Sequence, residues 1–181
     1  MAAIEVDRMP AFEALLRARR DAIAQHWLDA ALTSYPQRAA TSFRQQSDRF
    51  ANPVGYHLRI GIREMVDDLL GVGDGARAER ALHEIVRIRA VQQFAPSEAL
   101  RFVVDLKDCI RLVCGPDIDA PAHAASWAAL QRRIDQLALT AFDIYTAYRE
   151  QVCQLRINDV KRNVSRIWER MNRLQDSEDS A

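Results

Sequence analysis

From about Ala122 to Leu174 the chain carries a helical hydrophobic pattern that no proline or glycine interrupts. Globular helices usually run about 8–20 residues, so an unbroken pattern of this length signals a helix with a use beyond ordinary packing. Its apolar stripe changes character partway. Trp127, Leu130, Ile134, Leu137, Ala141, Tyr145, Tyr148, Val152 and Leu155 form a broad, aromatic-rich face suited to packing on a domain. From Ile157 a narrower pattern follows: Ile157, Val160, Val164, Ile167, Met171 and Leu174 alternate in steps of three and four. That is the a/d seam of a coiled coil, with β-branched residues at most positions. It spans only about two and a half heptads, short for an independent coiled coil. As the extension of a helix already ordered by a domain, it is expected to pair two protomers into a homodimer. The competing reading packs it back on its own domain, which a rigid helix this long resists.

The rest of the chain also reads as helix. No segment alternates with period two, while helical stripes recur throughout. A first helix is predicted from about Pro10 to Tyr35, with Phe12, Leu16, Ile23, Trp27 and Ala31 on one side and Pro36 ending or bending it. A short helix is expected around Phe43. Asn52-Pro53 is a start signal, since Asn caps free amides and Pro needs none at the first helical position. Leu58, Ile62, Met65 and Leu69 then share a face, and Gly71 closes the helix. Gly55 and Gly61 lower helix propensity and make sense where another backbone packs closely. Further helices are predicted over 76–94 and 96–113, the second with Pro96 in its first turn and Glu98 near its positive end. GPDIDAP at 115–121 is the clearest break. The expected class is all-α: one helical-bundle domain over 1–156, a coiled-coil-like extension of the last helix over 157–174, and a disordered polar tail, QDSEDSA, over 175–181.

Composition narrows the function classes. The 181 residues suit one domain with a real core, and 25 basic side chains balance 25 acidic ones. That balance argues against nucleic acid or an anionic membrane as the main partner, because both reward a basic surface. No signal-peptide core or long uncharged apolar stretch occurs. Cys109, Cys114 and Cys153 show no CxxC or ligand spacing, so they read as buried, reduced thiols of a cytoplasmic protein.

Catalytic patterns are thin. His26, His57, His83 and His123 fall on different elements, with no HExxH and no metal-ligand pair four apart. GVGDG at 71–75 has no strand before it, so a phosphate-binding reading is poor. No GxSxG or Walker-type loop exists, and neither an enzyme nor a resident metal or cofactor is expected. The informative feature is charge where the periodicity asks for core. Arg89 shares a stripe with Leu82 and Ile85, and Lys107 one with Val103 and Ile110. Asp105 precedes Lys107 by two residues, Asp135 adjoins Ile134, and Asp143 lies between Phe142 and Ile144. Burying an unpaired charge is costly, so such groups must pair or reach solvent along their stems. Two readings stand: inter-helix salt bridges from Arg89 or Lys107 to Asp135 or Asp143, or a small polar pocket for an anionic ligand.

Three stretches carry a family likeness: NPVGY at 52–56, IRAVQQFAPSEALRFVVDLK at 88–107, and RIDQLALTAFDIYTAYREQVCQLRINDVKR at 133–162. Together they resemble the RsbRD N-terminal domain family, the amino-terminal modules of RsbR-type stressosome co-antagonists and of some bacterial sensor kinases. The likeness spreads from the Trp27 and Tyr35-Pro36 region to Arg162. It implies a non-enzymatic sensory or regulatory domain in stress-response signal transduction, dimeric and globin-like without haem, whose long last helix leads to an output domain. The chain stops after that helix with no STAS or kinase segment. It is therefore expected to be a stand-alone module or a piece of a longer protein, docking to a regulatory or kinase-type partner. Alternatives of other classes are a globin-like cofactor or small-ligand binder, with His83 or His57 as axial ligand, and an accessory assembly subunit of a larger complex.

Overall fold

The computed structural model describes residues 9–45, 48 and 50–178, with side chains from 11 to 171 within that range. Its elements are α1 (Met9–Ala18), α2 (Arg20–Leu32), α3 (Gln37–Gln45), α4 (Pro53–Leu69), α5 (Gly75–Val91), α6 (Pro96–Cys114), two 3-10 turns (Gly115–Asp117 and Pro121–His123) and α7 (Ala124–Glu178). The described residues contain no strand, as the absence of period-two segments predicts. They fall into two compact units, 1–145 and 146–181.

The single helix predicted over the first stretch is two. Arg19, at φ −109° and ψ 9°, leaves the helical region between α1 and α2. Its amide turns back to Leu16 O at 3.1 Å, a tighter 3-10 bond. Its guanidinium is held far along the chain, at 3.2 Å from Cys114 O and 2.7 Å from Asp117 Oδ2. α2 also stops at Leu32, short of Tyr35, where the Thr33 and Ser34 hydroxyls donate to Ala30 O and Ala31 O. Those are last-turn carbonyls that the helix itself cannot satisfy.

α4 begins where Asn52-Pro53 places it. Asn52 Oδ1 accepts from Gly55 N at 2.9 Å, and Asn52 Nδ2 donates to Phe43 O at 3.2 Å, so one buried side chain starts α4 and ties it to α3. Gly55 therefore serves differently from expectation. A Cβ there would collide with the capping Asn52 side chain rather than with a neighbouring backbone. Gly61 does mark a close approach, since its Cβ would lie 3.0 Å from Ile85 Cδ1 and 3.1 Å from Ala81 Cβ on α5. Gly71, at φ +70°, ends α4 in the left-handed region that glycine adopts without strain.

Asp74 caps α5 by accepting from Ala76 N at 3.0 Å. α5 ends at Val91, three residues before the predicted end, and Gln93 turns the chain at φ +66° so that Phe94 lies in the link to α6. The Glu98 carboxylate reaches back to Ala95 N at 3.3 Å, half of a capping box around Pro96. The core of the first unit is built around Trp27, Phe102, Ile62, Met65, Leu82 and Leu106, all essentially buried. Trp27 stacks on Phe102 at 6.0 Å between centroids, and its indole N–H donates to Phe102 O. Within this unit α7 contributes Trp127, Leu130, Ile134, Ala141, Ile144 and Tyr145 to the buried set.

From Thr146 to Met171 no described residue of α7 is buried. Leu155, expected on the packing face, is exposed, and so is Cys153, expected as a buried thiol; Cys109 and Cys114 are buried. Helix α7 is described through Glu178, and residues 179–181 of the expected tail lie outside the described residues.

Candidate functional site

Arg89 projects from the last turns of α5 into the core and is 1% exposed. It meets neither Asp135 nor Asp143. Its Nη2 donates to Ala31 O at 2.8 Å, and its Nη1 to Glu98 O at 3.2 Å and Ala99 O at 3.3 Å. Ala31 belongs to the final turn of α2, where unpaired carbonyls concentrate partial negative charge. The rings of Phe102, Tyr35 and Phe94 lie 4.8, 5.3 and 5.6 Å from the guanidinium carbon. Carbonyl dipoles and ring faces thus stand where a carboxylate was expected. Burial pushes the Arg89 pKa down, opposed by Tyr35 and Asp105, yet a guanidinium starts so high that it stays charged. The geometry is that of a fastener joining α2, α5 and α6.

Two polar atoms of this cluster are left over. Among the described residues, neither buried Arg89 Nε nor the buried Tyr35 hydroxyl has a partner at full hydrogen-bond geometry, although the two side chains interact with each other. Burial raises the Tyr35 pKa, with the nearby Arg89 cation pulling the other way. Next to them, the Tyr145 hydroxyl of α7 donates to Phe94 O at 2.7 Å, and Phe94 N donates to Arg89 O at 3.3 Å. The α5–α6 link is therefore held from both α5 and α7.

The other charges are half-buried or exposed. Lys107 Nζ meets Asp135 Oδ1 at 2.5 Å, an α6–α7 ion pair whose aspartate side chain is 61% exposed. Asp105 faces Arg101 one turn back along α6 at 3.5 Å, and Asp143 is exposed on α7. Arg89, Lys107, Asp105, Asp135 and Asp143 thus do not converge on one pocket. One is sealed inside, two form a bridge, Asp105 is half-buried beside Arg101, and Asp143 is exposed.

Sequence reasoning missed a recess of about 170 Å³ lined by Phe12, Leu16, Leu69, Leu70, Leu130 and Arg133, among others. It lies between α1, the end of α4 and α7. Arg133 closes one side by donating to Leu69 O at 2.8 Å and to Asp68 O at 3.1 Å, two carbonyls at the end of α4, the second of which also accepts from Gly71 N. None of the sequence signals could find it, because its walls come from stretches that are far apart in the chain. His57 lines a shallower recess of about 140 Å³ with Ile60, Glu64 and Arg80, and His83 is half-buried on α5. Both volumes fall below the roughly 300–1,000 Å³ usual for drug-sized ligands. Among the described residues no His, Cys, Asp and Glu group could hold a metal ion, and no helix is long and apolar enough to cross a membrane.

Along the second unit the seam side chains are open: Ile157 is 48% exposed, Val160 62%, Val164 45%, Ile167 59% and Met171 48%. The side chain of Leu174 lies outside the described residues. The described residues thus contain helices and no strands, with Arg89 sealed in the first unit and an exposed apolar row along the second. Residues 21–159 match the family model of the RsbT co-antagonist protein rsbRD N-terminal domain, and the chain belongs to that family. A relative in Archaeoglobus fulgidus, described as an uncharacterized protein, is 23% identical over 146 residues, covering 77% of this chain and 83% of the relative. No solved structure matches the chain significantly.

Proposed function

We propose that this protein is a non-enzymatic sensory or regulatory module of bacterial signal transduction, acting by protein–protein contact through its last helix. The carrying observation is the open seam from Ile157 to Met171, a heptad-spaced row of aliphatic side chains. Five such side chains held in water have no role in the fold, whereas a second helix would bury them. Membership of the rsbRD N-terminal domain family supports the regulatory reading. In this reading the body is a haem-less, globin-like bundle, the seam pairs two protomers when no other helix covers it, and the output protein is a separate partner. Sedimentation velocity of the full chain and of a chain ending at Arg156 tests it. Loss of the dimer on truncation supports the seam; an unchanged dimer overturns it.

A second reading, that the module also takes a small ligand, is favoured by the recess beside Arg133. A small apolar molecule there would touch α1, α4 and α7 together. It would shift a two-state equilibrium of the body by its differential affinity for the two states. A thermal-shift screen on the wild type and on Ala129→Leu, which fills the recess wall, separates binding there from binding elsewhere. A hit that stabilises both proteins equally counts against the recess.

A further inference from the structure

The flanks of the seam bear on what covers it. With Ile157, Val164 and Met171 at a positions and Val160 and Ile167 at d, the e and g positions hold Gln154, Arg156, Lys161, Asn163, Trp168 and Arg170. All six are exposed, and none is acidic. Between 156 and 170 the helix carries five cations and two acids, and both acids, Asp159 and Glu169, fall at c and f, away from the seam. Asp159 is already joined to Arg162 on that outer side.

Pairing across a coiled coil is decided largely at e and g. In a parallel self-pair, g of one helix meets e of the next heptad on the other, which sets Arg156 beside a second Lys161. In an antiparallel self-pair e meets e and g meets g, again without an acid. No self-pairing in either direction gains a flanking ion pair, and like charges at such positions are repulsive. Trp168, 61% exposed beside the seam, adds an aromatic anchor of the kind that concentrates binding energy at interfaces.

We infer that the seam's preferred occupant is an amphipathic helix of another protein, apolar at a and d and rich in Asp or Glu at e and g. This inference rests on the seam being the contact surface and names the chemistry of its partner. Self-association through the same seam is the weaker, competing use. Carboxylates at the partner's flanks convert the repulsion at Arg156, Lys161 and Arg170 into ion pairs and leave the apolar burial unchanged.

The test uses the full chain and two synthetic helical peptides with the same Ile/Leu seam, one with Glu and one with Lys at every e and g position. Anisotropy of labelled peptide should show the Glu peptide binding at least about tenfold tighter. Raising salt from about 0.05 to about 0.5 M should shrink that ratio, since exposed pairs are screened. The triple variant Arg156→Glu/Lys161→Glu/Arg170→Glu changes exposed residues only and should reverse the preference. Equal binding of the two peptides, or binding of neither, overturns the inference. If truncation at Arg156 abolishes the dimer while the peptides bind alike, the seam stands as a homodimer surface and only the acidic partner is lost.

Discussion

The first unit hides a guanidinium at 1% exposure, while the second presents Ile157, Val160, Val164, Ile167 and Met171 to solvent at 45–62%. Each reverses the ordinary distribution of polar and apolar groups, and the reasons differ. Arg89 is tolerated inside because three carbonyls and three ring faces receive its charge, so its desolvation is largely offset within the unit itself. The open aliphatic row has no compensating contact within the described chain. A buried charge with most of its donors paired belongs to the fold, whereas an exposed apolar row is what the proposed association would cover.

That contrast can be broken by substitutions on either side. The largest effect is expected at Arg89. Arg89→Ala leaves three buried carbonyl contacts unmade and a void among Tyr35, Phe94 and Phe102, and should lower unfolding free energy in urea by about 3–5 kcal/mol. Arg89→Lys should recover only part of the loss, because a single ammonium cannot span α2 and α6 as the planar fork does. A variant with wild-type stability would show that the fastener is dispensable.

Tyr35→Phe should change stability by less than about 1 kcal/mol, because the desolvation of this buried hydroxyl is set against its interaction with the Arg89 guanidinium. Two buried groups predict alkaline behaviour. Burial holds the Tyr35 hydroxyl above its ordinary value, and burial together with Asp105 and Asp108 pushes the Cys109 thiol up to about 11. Both groups keep their protons in the folded state at a pH where the unfolded chain has released them. The unfolded state then binds fewer protons, so stability falls as pH rises. For Cys109 the fall begins near the ordinary thiol value of 9.0 and runs to about 11. Cys109→Ala should flatten the melting temperature between those limits, and an unchanged slope would assign it to other groups.

Smaller effects complete the comparison. A double-mutant cycle on Lys107→Ala and Asp135→Ala should return about 0.2–1 kcal/mol, the worth of an exposed pair, and should shrink with salt. Smallest of all, Ile157→Ser should change urea unfolding by less than about 0.5 kcal/mol while weakening self-association measured by sedimentation. If Ile157→Ser destabilises the fold as a core substitution does, the seam is packed in solution within one chain.

Much of this was legible in the sequence where the signal is local. Asn52-Pro53, Gly71 and Pro96 act on amides and dihedrals within a few residues, and each marks a helix end in the structure. The break at Arg19 is not local: its guanidinium bonds to Cys114 and Asp117, almost a hundred positions away. Gly55 misled for a related reason, since its neighbour is a cap three residues before it rather than a second helix. Cys153 and Leu155 lie on an apolar helical stripe, yet a stripe records only which residues share a face, and here that face meets solvent.

The charged cluster divides along the same line. A search for ion pairs looks for carboxylates, which are sparse and visible, and it leads to Lys107 and Asp135. Backbone carbonyls are present at every residue and leave no mark in a sequence, so nothing in the chain could point Arg89 to Ala31, Glu98 and Ala99. By itself the sequence determined the helical class, the family and the three-and-four spacing of the apolar row, because periodicity and short-range capping depend on residue order alone. Only the tertiary structure decided that Arg89 would be sealed among carbonyls, that Asp143 would stay outside, and that a recess would open beside Arg133. Each of those depends on which distant backbone surfaces are brought together, and residue order does not record that directly.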